Sequence, residues 1–122
     1  MTIGEAIAAL DASKPNTFAE EVKIKWLSEL DARLYETILK NYLGAPEHFA
    51  GYTADSDRLT VLLAPEPHDR MYLFWLEAQI DYWLGETTRY NNAIATFAAE
   101  EAAFAAFWHG THGHRRAAVK WY

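Results

Sequence analysis

Two carboxylates four residues apart, Glu77 and Asp81, lie in a stretch that is otherwise almost wholly apolar, Met71–Leu84. Helical spacing puts them on one face, with Arg70 within about 40° of both. A general acid with a raised pKa is built from such a pair. The commoner role is an exposed polar strip, or ion pairs with Arg70 or Arg89, and that is the expectation here. His109, His112 and His114 form the one cluster with metal-ligand character, because imidazoles at i and i+3 can share an ion. No cysteine or acid lies near them in sequence, and Gly110 and Gly113 loosen the segment, so no metal is expected. The chain has no cysteine and only three serines, Ser13, Ser28 and Ser56. It also lacks H-E-x-x-H, any acid with a histidine three positions on, G-x-G-x-x-G, a P-loop and a nucleophile elbow. The expectation is a protein with no catalytic residues and no cofactor.

Recognition has better candidates. Glu101 falls within an aromatic stripe, Tyr90, Ile94, Phe97, Phe104 and Trp108, where a buried carboxylate needs a partner. Two readings stand: partial exposure near the helix end, or an inter-subunit pair with Arg115 or Arg116 of a neighbour. Asn91 and Asn92 follow the same logic as surface residues or as glue between helices. Trp75, Trp83, Glu101, Trp108, Arg115 and Arg116 are the residues expected to make contacts with other chains.

Four helices are needed to position these groups. Thr2 and Glu5 form a capping box for a first helix to about Asp11, with Ile3, Ile7 and Leu10 on one face. Lys14-Pro15-Asn16 breaks it. A second capping box, Thr17 with Glu20, should open a long helix to about Leu43, closed by Gly44. Its apolar residues Val22, Trp26, Leu30, Leu34, Ile38 and Tyr42 recur every four residues, so the stripe winds by about 40° per step. Glu21/Lys25, Glu29/Arg33 and Glu36/Lys40 read as a solvated face. Residues 44–66 form a long connection, in which Leu59–Leu63 is an extended segment packed on the helices or on a partner. A third helix spans about Asp69 to Leu84 and is apolar nearly all round, more than one small chain is expected to cover. The fourth runs from about Glu86 to Trp108, with Ala95, Ala99, Ala102, Ala103 and Ala106 opposite its aromatic stripe. The expected class is all-α: a small bundle over residues 1–108, one long loop, and a basic, His-containing C-terminal tail over 109–122.

Composition narrows the function classes. The 122 residues are 51% hydrophobic and 15% aromatic, which excludes disorder and leaves aromatic surface for a core or an interface. Net charge is −6, but all seventeen acidic residues precede His109, whereas residues 109–122 carry three basic residues and no acid. An acidic body argues against general nucleic-acid binding, and no helix carries the basic cluster of a helix-turn-helix reader. The basic tail should meet an acidic surface, for which a second copy of the chain qualifies. No apolar run approaches the ~20 residues that span a bilayer, and no basic-then-apolar leader opens the sequence.

Three stretches carry a resemblance: K-P-N with EEVKIKWLSELD (Lys14–Asp31), the L-L-x-P-x-P-x-D-R-x-Y joint (Leu62–Tyr72), and the I-D-Y-x-x-G-E-x-x-R-Y-N-N run (Ile80–Asn92). Over most of residues 1–108 the chain resembles the small head–tail connector (adaptor, or head-completion) proteins of tailed phages and prophages. The resemblance implies an α-helical, non-enzymatic virion protein, made in the host cytoplasm. It implies a ring of copies beneath the portal that offers a docking surface to a tail-completion protein. It brings no catalytic residues, no membrane and no sequence-specific nucleic acid. The alternative from another class is a small acidic regulatory protein, antitoxin- or inhibitor-like, that sequesters a basic partner.

Overall fold

The computed structural model of the chain describes residues 1–113. They form an all-α bundle: α1 (Ile3–Ser13), α2 (Glu20–Leu34, prolonged by a π-helical turn, Tyr35–Leu39), α3 (Met71–Trp83, entered through a 3-10 turn, His68–Arg70) and α4 (Thr87–Thr111). No helix among the described residues is long and apolar enough to cross a membrane.

The capping box of α1 is present as its sequence requires. Glu5 N–H donates to Thr2 Oγ1 at 3.1 Å and Thr2 N–H to Glu5 Oε1 at 2.9 Å. Helix starts leave further N–H groups without an intrahelical partner. Here the long loop supplies acceptors: Ile3 N–H donates to the Thr60 carbonyl (3.0 Å) and Gly4 N–H to that of Arg58 (2.9 Å). A Cβ at Gly4 would stand 3.2 Å from the Arg58 oxygen, a tight contact that a side chain there would relieve only by pushing the loop back slightly. Leu62 N–H donates to the Met1 carbonyl, and Thr2 and Val61 pair as an antiparallel bridge. The expected extended segment is shorter than 59–63: Val61 and Leu62 pair with the chain's start, whereas Leu59 lies in a turn and Leu63 in a bend; Leu62 is buried and Leu59 and Val61 are exposed.

The second capping box does not form. Asn16 Oδ1 accepts from Phe18 N–H at 3.0 Å, a local turn that competes with the helix, and Ala19 becomes the N-cap with no side-chain bond. Freed from the helix, Phe18 packs edge-on against Trp26, ring centroids 5.2 Å apart. The far end of α2 reaches nearly as far as expected. In its π turn, Lys40 N–H bonds to the Tyr35 carbonyl five residues back. A wider turn rotates fewer degrees per residue, which takes up the drift of a four-residue repeat. Leu34, Ile38 and Tyr42 all stay buried as a result.

The 23-residue connection from Gly44 to Glu66 is held at several points. Tyr35 Oη donates to the carbonyls of Pro46 and Glu47, Ser28 Oγ accepts from Tyr52 N–H, and Arg58 Nε donates to Glu20 Oε1 at 2.6 Å. Its deepest anchor is Asp31, wholly buried on α2. Asp31 Oδ2 accepts from Tyr52 Oη (2.5 Å) and Leu63 N–H (3.0 Å), and Oδ1 from Tyr72 Oη (2.6 Å). Tyr72 Oη accepts in turn from Ala64 N–H. Burial pushes the Asp31 carboxyl above the usual carboxylate range, against the pull of these donors. Burial also pushes both tyrosine hydroxyls upward, and the neighbouring Asp31 charge adds to it.

α3 and α4 pack antiparallel across the Leu84–Glu86 turn, where Gly85 takes φ +73°. Around them lies one core, which includes Leu10, Leu27, Leu30, Met71, Leu76, Phe97 and Phe104. α4 runs to Thr111, so His109–Thr111 are helical and the tail begins three residues later than the sequence suggests.

Candidate association surface

Most of α3 is covered by the chain itself. Met71, Tyr72, Leu76, Ala78 and Ile80 are buried, because α1, α2 and α4 each contact the helix. The expectation that one chain could not cover this helix is corrected for these residues, while Leu73, Phe74 and Trp75 are half-buried. The last turn is different: Tyr82, Trp83 and Leu84 are 60, 63 and 62% exposed. Asp81 beside them is still buried against Lys14 at the end of α1, so cover ends only on the side of the turn that carries these three residues. Beside this apolar corner lies a groove of about 480 Å³, walled by Phe18, Val22, Trp26, Tyr82 and Trp83, with Lys25 and Glu29 at its rim. Tyr82 stands edge-on to Trp83 and against Tyr90, ring centroids 5.4 and 5.8 Å apart, so the corner is continuous aromatic surface. Compared with family models, curated proteins and solved structures, the chain matches none.

The other residues singled out from sequence are placed as follows. Trp75 is half-buried against the core: its ring packs on Phe97 at 5.1 Å and its Nε1–H donates to the Trp26 carbonyl at 2.9 Å. Trp108 is buried and stacks on His112 at 3.5 Å. His109 stacks instead on Tyr42, so the first two histidines face different neighbours, and His114 lies outside the described residues. Arg115 and Arg116 lie outside them as well. Glu101 is mostly buried and its Oε1 accepts from Arg33 of the same chain at 2.8 Å. Arg33 thus reaches across to α4 rather than back to Glu29. Of the three spaced acid–base pairs on α2, Glu36 and Lys40 meet, at 2.6 Å.

Glu77 and Asp81 do not form an exposed strip. Asp81 is buried and its Oδ1 meets Lys14 Nζ at 2.6 Å; Glu77 Oε2 accepts from Ser13 Oγ at 2.9 Å. The partners come from the end of α1, not from Arg70 or Arg89, and Arg70 pairs with Glu100. Together these contacts fasten α1 to α3. A second ion pair, Lys23 with Asp11 at 2.7 Å, fastens α1 to α2, and it holds the Asp11 carboxyl below the usual range. The alanine face of α4 (Ala95, Ala99, Ala102, Ala103 and Ala106) is exposed throughout.

Of this corner, the sequence singled out Trp83, which is exposed, but not Tyr82 and Leu84 or the groove residues Phe18, Val22 and Trp26. Val22 and Trp26 belong to the four-residue stripe of α2, but Phe18 lies before the helix and reaches Trp26 only through the turn at Asn16, which spacing does not show.

Proposed function

We propose that the chain works by association, as a non-enzymatic structural adaptor of the head–tail connector kind. It would join copies of itself in a ring and meet portal and tail-completion proteins on the ring's faces. The resemblance over residues 1–108 supports that specific placement. The observation that carries the associative role is the exposed Tyr82–Trp83–Leu84 corner beside its aromatic groove. Two adjacent aromatics and a leucine, exposed and rimmed by charge, have the composition of an interface hot spot. Glu77 and Asp81, the best carboxylates for catalysis, are each engaged by α1, which supports a role without turnover.

The test is native mass spectrometry and sedimentation velocity across a concentration series, with and without isolated portal rings. The unaltered chain should form oligomers or join the rings. Trp83→Ala should shift assembly to at least about tenfold higher concentration, a loss of roughly 1.4 kcal/mol. Its melting temperature should hold, because Trp83 is exposed. A chain that stays monomeric and never joins portal rings overturns the connector reading. A stable one-to-one complex with a cationic protein would point to the sequestering alternative.

A further inference from the structure

The Tyr82–Trp83–Leu84 corner is an aromatic knob just before α4, and the far half of that helix borders a hollow. A second groove, of about 380 Å³, runs between α2 and α4, with Arg33, Ile38, Ala98, Glu101, Ala102 and Ala105 among its walls. Alanines keep its α4 side low, so a bulky side chain from outside can lie close against the helix; Ala98 and Ala102 are exposed. Ala102 lies about 22 Å along the helix from Thr87, so the knob and the hollow of one molecule do not meet.

Charge at the two places is complementary. Lys25 and Glu29, one turn apart on α2, are exposed on the rim beside Trp83, and neither makes an ion pair among the described residues. At the hollow, Arg33 pairs with Glu101 but keeps half of its side chain exposed. Glu101 Oε2 has no hydrogen-bond partner among the described residues, so its carboxylate is only partly compensated. We infer that the corner of one copy seats in the α2/α4 groove of the next. Trp83 then lies against Ile38 and the alanines, Glu29 faces Arg33, and Lys25 brings a second positive charge to the Glu101 carboxylate. The contact is head-to-tail: each copy keeps a free knob on one side and a free hollow on the other, so association continues into a ring or a filament. A corner-to-corner pair would cover the aromatics but leave the groove and Glu101 as they are. The inference rests on the associative reading above and names the surface that the corner meets.

The full chain has no native cysteine, which allows a direct test. Gln79→Cys places a thiol in the groove beside Trp83, and Ala102→Cys places one in the α2/α4 groove. A short bismaleimide should join the two variants into dimers when they are mixed, and neither variant to itself. A chain carrying both thiols should give a ladder of multimers. Adding Trp83→Ala or Glu29→Lys, both at exposed positions, should raise the concentration needed for the mixed dimer by about tenfold and leave the melting temperature unchanged. A mixed dimer indifferent to both substitutions overturns the inference. Cross-linking of Gln79→Cys to itself would mean a corner-to-corner contact and overturns it too. So do oligomers in sedimentation that never give the mixed dimer, a result that leaves the associative reading in place. A chain monomeric at every concentration also overturns the inference, whereas the associative reading falls only if that chain fails to join portal rings as well.

Discussion

Asp31→Ala should lower the unfolding free energy by on the order of 3 kcal/mol. Its carboxylate is the shared acceptor for Tyr52 Oη, Tyr72 Oη and Leu63 N–H. Removing it strands donors in a dry site, at about 1–3 kcal/mol each, partly offset because a desolvated charge is removed as well. Tyr72→Phe should cost less, since it removes one donor to Asp31 and the acceptor for Ala64 N–H but leaves the carboxylate two partners. Urea melts of the two variants against the unaltered chain check the order. The same residue sets a pH dependence. The folded carboxyl titrates above the ordinary aspartate value of 3.8, so the native state binds this proton more tightly than the unfolded chain. Unfolding then releases a proton between the two values, and stability falls as pH rises through that window. Relative to Asp31→Asn, the unaltered chain should gain stability as pH is lowered from 7 toward 4. Below that, protonation of Asp11, whose carboxyl Lys23 holds low, acts in the opposite direction.

Lys14→Met should cost about 3 kcal/mol, and more than Asp81→Asn. Asp81 is almost fully buried, and Lys14 Nζ at 2.6 Å is its cation. Breaking a buried pair from the cationic side leaves an uncompensated carboxylate, whereas the amide removes the charge itself. Thermal melts rank the two, and equal losses would show that the pair acts only as a hydrogen bond. Amide exchange should locate the damage at the α1–α3 seam, because Lys14 and Ser13 are both there.

Local signals in the sequence were sound wherever a helix end or stripe decides its own structure. The Thr2/Glu5 box, the Ile3, Ile7 and Leu10 face of α1, and Phe97, Phe104 and Trp108 on α4 all follow from spacing alone. The Thr17 cap failed because Asn16, one residue earlier, offered the backbone an equally local alternative. Partners far apart in sequence were not legible. Lys14 with Asp81 and Arg33 with Glu101 depend on how helices are stacked, and i, i+4 rules favoured Glu29 for Arg33. Asp31 had a signal that went unread: it stands four after Leu27 and three before Leu34, on a buried face. For the associative site, Trp83 was legible as surplus aromatic surface. Where cover stops, past Asp81, was not, because that depends on how the helices stack.

The 44–66 segment has the length of a loose loop but is fastened at Tyr35, Ser28, Asp31, Glu20 and the start of α1. It behaves as a belt buckled over two helices. A single protease cut near Arg58 would therefore not trim an ornament. It would unbuckle the N-terminus of α1 and the middle of α2 together, so the first clip and the collapse of the whole bundle should appear on a gel as one event.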